Sequence, residues 1–227
     1  MKQKTVVVTG ASGNLGNAIV THYLKLEYKV LGLVHHSKKM QSNDLYYEYE
    51  VNLLNADEVN SCINKIIQEH QSIDIAVLTA GGFTMGNLSN STYNDIDKQI
   101  QLNFVTAYNV IHPILMQMKV QNSGEIFFIG SLAGMDAVNG KNVTAYSLSK
   151  SLLFQLAGLI NVEYAEQSIH AHVIVPSIID TTQNRADMPN ADFSKWEKPE
   201  QIAAIIEKYA NDKNQKSKTV IVVQEEI

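Results

Sequence analysis

The stretch that decides the fold is Val6-Val7-Val8-Thr9-Gly10-Ala11-Ser12-Gly13-Asn14-Leu15-Gly16. An apolar, β-branched run ends in a glycine turn. Helical periodicity starts immediately after it, with Leu15, Ile19, Tyr23 and Leu26 at spacings of four, four and three. The glycines stand at G-x-x-G-x-x-G. In a strand-to-helix turn of this kind Gly10 permits the tight turn, and Gly13 removes a side chain where a phosphate approaches the backbone. Gly16 lets the new helix lie close on the strand. The free N–H groups and positive dipole end of that helix make a seat for a pyrophosphate, with Gly10, Ser12, Gly13, Asn14, Leu15 and Gly16 as candidate contacts. Taken alone, the triplet fits an ordinary strand-to-helix turn as well.

Outward from this stretch, strands and helices alternate. Strands are expected over residues 28–34, 46–51, 73–79, 126–130, 169–175 and 219–223. Helices are expected over 56–70, capped by Asn55, over 93–120, bent by Pro113, over 146–166, and over 199–209 with Pro199 in its first turn. Such alternation specifies an α/β fold, a doubly wound parallel sheet. No repeat, low-complexity tract or linker interrupts residues 1–227, so one domain is expected.

Composition narrows the function. The chain has 227 residues, 45% hydrophobic and 18% charged, an ordinary globular balance large enough for a full core. A formal charge of −5 gives no basis for nucleic-acid binding. The basic run from Lys213 to Lys218 reads as a solvated turn. Cys62 is the sole cysteine, which excludes a disulfide framework and points to a reducing cytoplasm. No apolar run reaches membrane-spanning length, and the first strand begins too near Met1 to leave room for a signal peptide. The scattered histidines, His170 and His172 among them, form no metal motif.

In a doubly wound sheet, ligands bind beyond the carboxyl ends of the strands. Small and polar residues fall at those places: Thr79-Ala80-Gly81-Gly82, Gly130-Ser131 and Pro176-Ser177. Each alone fits a plain loop; these three and the glycine turn, four sites together, point to a ligand. Tyr146 and Lys150 lie four apart and share one helix face. A neighbouring ammonium favours the phenolate and brings a tyrosine, normally near pKa 10, toward the range of a useful acid. Ser131 is placed to hydrogen-bond a carbonyl beside it.

The glycine loop, Ala80-Gly81, Asn103, Ser131, Tyr146-x-x-x-Lys150 and Pro176 to Thr181, in this order, resemble the short-chain dehydrogenases/reductases along essentially the whole chain. The resemblance implies a Rossmann-type sheet of strand order 3-2-1-4-5-6-7 and a nicotinamide cofactor. It implies Tyr146 as proton donor, Lys150 lowering its pKa and holding the nicotinamide ribose, Ser131 orienting the carbonyl, and Asn103 holding a water in the proton relay. It also implies cofactor contacts from Gly82, Pro176, Ser177, Ile179 and Thr181, and pairing of the two long helices into a homodimer or homotetramer.

Within that family the chain departs from the common pattern. Gly13 stands one place early, Asn14 takes a usual glycine site, Thr79 replaces an asparagine, and Ser177 replaces a glycine. These features, with Ala80-Gly81-Gly82-Phe83 and the segment from Asp180 to Trp196, resemble the dihydropteridine reductase branch. Those reductases lack the serine and asparagine that this chain has in Ser131 and Asn103, so carbonyl reduction stands beside pterin reduction. NAD-binding members carry a carboxylate at the end of the second strand, where this chain has His35, His36, Ser37 and Lys38. That tilts the expectation to NADP(H) over NAD(H), although a solvated loop reads nearly as well. Asn52-Leu53 falls near the adenine. The 182–198 loop, carrying Met188, Phe193 and Trp196, has the length of a lid or of a packed surface loop. A small carbonyl compound is the expected substrate. A non-catalytic nucleotide-binding regulator on the same fold is the rival.

Overall fold

The computed structural model describes residues 3–37, 43–212 and 217–226. Thr5–Thr9 forms the first strand (β1), buried at every residue, and Asn14–Lys25 the first helix (α1). Lys29–Val34 (β2) and Tyr46–Glu50 (β3) follow, then the helix Ala56–His70 (α2), whose Asn55 cap accepts the N–H groups of Asp57 and Glu58. After Ile75–Leu78 (β4) come Tyr93–Ile100 (α3), a π turn at Gln101–Val105, and Thr106–Gln121 (α4). Ser123–Ile129 (β5), the short helix Leu132–Met135 (α5) and Thr144–Glu163 (α6) precede Ser168–Val175 (β6). Thr182–Asp187 (α7), a 3₁₀ turn at Phe193–Lys195, Pro199–Asn211 (α8) and Val220–Val222 (β7) complete the chain.

The strands pair in parallel in the order β3-β2-β1-β4-β5-β6-β7. Side chains alternate across the pleat. Val7, Leu31, Ala76, Phe128 and Val173 therefore face a core completed by α2, α4 and α6. Val6, Val8, Val77, Phe127 and Ile174 face a second core completed by α1 and α8. Both faces are covered, which is why the central strands read as unbroken apolar runs. From β1 the chain runs outward to β2 and β3, then crosses back to β4, which pairs with β1 through Thr9 and Leu78. The crevice at the ends of β1 and β4 is thus the topological switch point.

One expectation is corrected. The 93–120 helix departs from α geometry at Gln101–Val105 rather than at Pro113, which lies inside α4. The π turn rotates Asn103 into the interior, where it is 1% exposed. The 182–198 stretch lies packed, the second of the two forms expected of it. It folds into a helix and a 3₁₀ turn, and Trp196 is buried against the molecule.

Candidate active site

At the end of β1, Gly10 adopts φ +60°, a conformation that favours glycine, and its carbonyl accepts the N–H of Gly13 at 2.9 Å. A side chain at Gly16 would collide with the Gly10 carbonyl, so the third glycine is what lets α1 start against the strand. A cavity of ≈ 610 Å³ opens over this turn. Gly10, Ser12, Gly13, Asn14, Leu15 and Gly16 line it with His35, Asn52, Leu53, Ala80 and Gly81. A second cavity, of ≈ 700 Å³, meets it at Ser12, Gly13 and Asn14 and runs on past Thr181. The first is a trough along the carboxyl ends of β1 to β4, and the second leads from the glycine turn along α1 to α7 and the start of α8. Gly13 caps α1 with no side-chain bond to the first-turn N–H groups. The trough fits an extended dinucleotide whose phosphates sit on that helix end.

At the adenosine end, the rings of His35 and His36 pack edge to face at 4.2 Å. Lys38 lies outside the described residues. β2 ends without a carboxylate of its own, but β3 brings one. The register pairs Val34 with Glu50, whose side chain accepts the Ser37 N–H at 3.2 Å and lies 3.7 Å from His36 Nδ1. Asn52 turns its side-chain oxygen to the N–H of Leu54 at 3.1 Å, and the Leu53 carbonyl accepts from Asn109 at 3.0 Å.

At the other end, β1 and β4 are laced together. Thr79 Oγ1 donates to the Thr9 carbonyl at 2.6 Å, and Ala80 N–H donates to Thr9 Oγ1 at 3.1 Å. This bond is what Thr79 supplies in place of the usual asparagine. Gly82 N–H donates to Asn103 Oδ1 at 3.0 Å, and Asn103 Nδ2 donates back to the Gly82 carbonyl at 3.0 Å. The same amide approaches Gln99 Oε1 at 3.0 Å and Ser149 Oγ at 3.1 Å. Gly81 lies between Asn103 and Lys150; a Cβ there would stand 2.6 Å from Asn103 Oδ1 and 3.4 Å from Lys150 Nζ. The pieces of the trough that face the chemistry are therefore held by Asn103.

Lys150 is buried and its ammonium donates to the Ile129 carbonyl at 2.8 Å. Burial brings its pKa down to about 8, which leaves it mostly protonated at neutral pH. Its Nζ stands 5.8 Å from the centre of the Tyr146 ring, whose edge meets Phe83 at 5.0 Å. Burial raises the Tyr146 pKa, and the hydrogen bond with Ser131 opposes that rise. The Ser131 hydroxyl is thus one group that draws the phenol down. Ser131 also caps α5, accepting the Ala133 N–H at 3.2 Å.

After β6, Pro176 is buried, Thr181 caps α7 through the Asn184 N–H at 3.1 Å, and the Ile179 carbonyl accepts from Asn184 Nδ2 at 2.8 Å. Ser177 is wholly engaged by Glu197, a carboxylate 2% exposed. The sequence pattern points to Asn103, Ser131, Tyr146 and Lys150, to the glycine loop and to the strand ends. It passed over Gln99, Ser149, Glu50 and Glu197. Gln99 and Ser149 carried a local signal, one helical turn before Asn103 and one residue before Lys150. The two glutamates carried none, because their partners are distant in sequence.

Comparison with known proteins agrees with this architecture. The short chain dehydrogenase family model matches residues 4–192. The chain is 27% identical over 200 residues to a 2-(R)-hydroxypropyl-CoM dehydrogenase of Xanthobacter autotrophicus, covering 82% of this chain and 79% of that one. It is 26% identical over 186 residues to the 3-oxoacyl-[acyl-carrier-protein] reductase FabG of Buchnera aphidicola, covering 80% and 75%. Among solved structures it superimposes on ElxO with NADP bound at a TM-score of 0.88, with 23% identity and 97% of each chain covered. It superimposes on a ligand-free aldohexose dehydrogenase of Thermoplasma acidophilum at 0.85, with 24% identity, 97% of this chain and 92% of the other. Among the described residues no helix is long and apolar enough to cross a membrane. A sheet of this order, a glycine turn at its switch point and a family match across most of the chain lead to one conclusion: the chain belongs to the short-chain dehydrogenase/reductase family and is an NAD(P)-dependent oxidoreductase.

Proposed function

We propose that the chain reduces a carbonyl, or an imine, on a small molecule, with Tyr146 as proton donor. The observation that carries this is the gathering of Ser131, Tyr146, Lys150 and Asn103 around Gly81-Gly82, at one end of a trough that fits a dinucleotide. The nicotinamide, when bound, supplies the hydride. Ser131 hydrogen-bonds the substrate oxygen and Tyr146 gives its hydroxyl proton to that oxygen as charge develops on it. Lys150, an ammonium at neutral pH, stabilises the phenolate left behind and binds the ribose. Asn103 anchors the route by which the proton is replaced. Cofactor binding and chemistry share a single domain, residues 1–227. The cofactor contacts are Gly10, Ser12 to Gly16, His35 to Ser37, Asn52, Leu53, Ala80 to Gly82, Tyr146, Lys150, Pro176, Ser177, Ile179 and Thr181.

NADP(H) is the favoured cofactor. In support, β2 ends in His35, His36 and Ser37 without a carboxylate. Exposed Tyr108, Met116, Val120, Leu159 and Val162 on α4 and α6 support a homodimer or homotetramer. The lone, half-buried Cys62 accords with a reducing cytoplasm. A dihydropteridine-type reductase is the second reading, favoured by the G-x-x-G-x-x-G spacing and opposed by Ser131 and Asn103.

The test is nicotinamide fluorescence with NADH and NADPH, followed by a screen of ketones and a quinonoid pterin with the tighter cofactor. Carbonyl turnover is expected. Tyr146→Phe should lower it by about 10²–10⁴-fold and leave cofactor binding largely intact. Turnover confined to the pterin selects the second reading. Cofactor binding without oxidation by any substrate selects a regulatory nucleotide-binding protein, and retained turnover in Tyr146→Phe removes the mechanism.

A further inference from the structure

Ser177 stands where the family resemblance leads one to expect glycine, and its surroundings explain the hydroxyl. Glu197 lies twenty residues on and is 2% exposed. Its Oε2 accepts the Ser177 N–H at 2.8 Å, and its Oε1 accepts the Ser177 hydroxyl at 3.0 Å. The backbones join too: Glu197 N–H donates to the Ile178 carbonyl at 2.9 Å, and Asp180 N–H donates to the Glu197 carbonyl at 2.8 Å. This is a parallel bridge between Ile179 and Glu197. Four bonds therefore pin the far end of the 182–198 excursion onto the five residues that leave β6. Its near end is fixed by the paired bonds of Arg185 to Asp180 at 2.6 and 2.7 Å and by the stacking of Arg185 on Phe193 at 4.7 Å.

A buried carboxylate is costly unless its oxygens are hydrogen-bonded. Burial pushes Glu197 up and the two Ser177 bonds draw it back down, so each residue requires the other. The segment they hold ends in Thr181, which lines the second cavity together with Ser12, Gly13 and Asn14 of the glycine turn.

We propose that Glu197 is a positioning residue for cofactor binding: by accepting both the N–H and the hydroxyl of Ser177, it fixes the segment Ser177–Thr181 in the shape it presents to the cofactor beside the glycine turn and couples that shape to the 182–198 excursion. The inference rests on the dinucleotide reading of the trough. Glu197 touches no reacting atom; it acts through the backbone of residues 177–181.

A double-mutant cycle on NADPH affinity tests it, read by nicotinamide fluorescence alongside thermal midpoints. Glu197→Leu removes both side-chain acceptors and is expected to weaken NADPH binding about tenfold, and Ser177→Gly, which removes only the hydroxyl bond, several-fold. The double variant is expected to bind no more weakly than Glu197→Leu alone, because the hydroxyl bond is already lost in that variant. Unchanged affinity in both single variants, even with lowered midpoints, overturns the proposal, as does a double variant whose losses multiply. Should Glu197→Leu fail to fold, Ser177→Ala carries the test. It deletes only the hydroxyl bond and is expected to weaken binding several-fold, and unaltered affinity overturns the proposal. A wild-type protein that binds neither NADH nor NADPH removes the dinucleotide reading and this inference with it.

Discussion

Tyr146 and Lys150 share one turn of α6 but not one environment. The phenol is half-buried beside Ser131 and Phe83, whereas the ammonium is sealed in with the Ile129 carbonyl as its hydrogen-bond acceptor. An enclosed ammonium weakens the fold in order to be present at the site. Lys150→Met is therefore expected to raise the thermal midpoint at pH 7 while abolishing turnover. The sign with pH follows from the depressed pKa. Below about 8 the folded protein carries the cost of the buried charge. Between about 8 and the ordinary 10.5 the folded lysine is neutral and the unfolded one is still charged, so wild-type stability rises with pH. The advantage of the Met variant should shrink over that window, as paired melts at pH 7 and pH 10 would read; an advantage that does not shrink refutes the account. Glu50 belongs to this scale too. Its carboxylate beside Ser37 repels a 2′-phosphate, so Glu50→Gln should tighten NADPH binding several-fold and NADH binding by less than twofold, with the difference fading in high salt. Equal responses of the two cofactors would exclude a role for Glu50 in selecting between them. The spacing of Tyr146 and Lys150 was readable because both lie on one helix. Glu50 was not, because only the β2–β3 register sets it beside Ser37.

At the scale of elements, local chemistry placed the helix ends well. The start of α2 was legible in Asn55, whose side chain accepts two backbone N–H groups and donates to Glu58 at 2.7 Å. Asn55→Ala should cost about 1 kcal/mol, measured by denaturant unfolding, with cofactor affinity untouched. A loss of affinity comparable to the loss of stability would mean that α2 participates in the site. The long helical stretch shows the opposite case. Its apolar periodicity runs on from Tyr93, and the interruption falls at Gln101–Val105, where no proline or glycine marks it. The π turn is accompanied by bonds that reach out of the helix, from Asn103 to Gly82 beyond β4 and to Ser149 on α6. Proline was the visible candidate for the break, but a helix that continues through Pro113 loses one donor without ending.

At the scale of the whole molecule, the far edge of the sheet is closed by one carboxylate. Glu226 accepts from Lys208 at 2.8 Å, from Lys218 at 2.8 Å and from the Tyr209 hydroxyl at 2.6 Å, joining the chain end to α8 and to the approach to β7. These bonds hold its pKa down from 4.5 to about 2. A depressed carboxylate stabilises the fold above its unfolded pKa and loses that contribution as pH falls through the folded one. Glu226→Gln should therefore melt lower than wild type at pH 6, and the gap should close between about pH 4.5 and 2. A gap that persists at pH 2 would show that packing, not charge, is what the residue provides.

The sequence by itself determined the alternation of strands and helices, the glycine turn and the order of Asn103, Ser131, Tyr146 and Lys150. Each of these is written in residues a few positions apart, through chain conformation, side-chain periodicity or helix-face spacing. Only the tertiary structure decided which groups face one another across elements: Glu50 against Ser37, Asn103 against Gly82 and Ser149, and Glu197 against Ser177. Those pairings depend on strand register and on the return path of the chain over the sheet. Burial then alters their chemistry, because a lysine or a glutamate acquires a shifted pKa only once packing has removed its water.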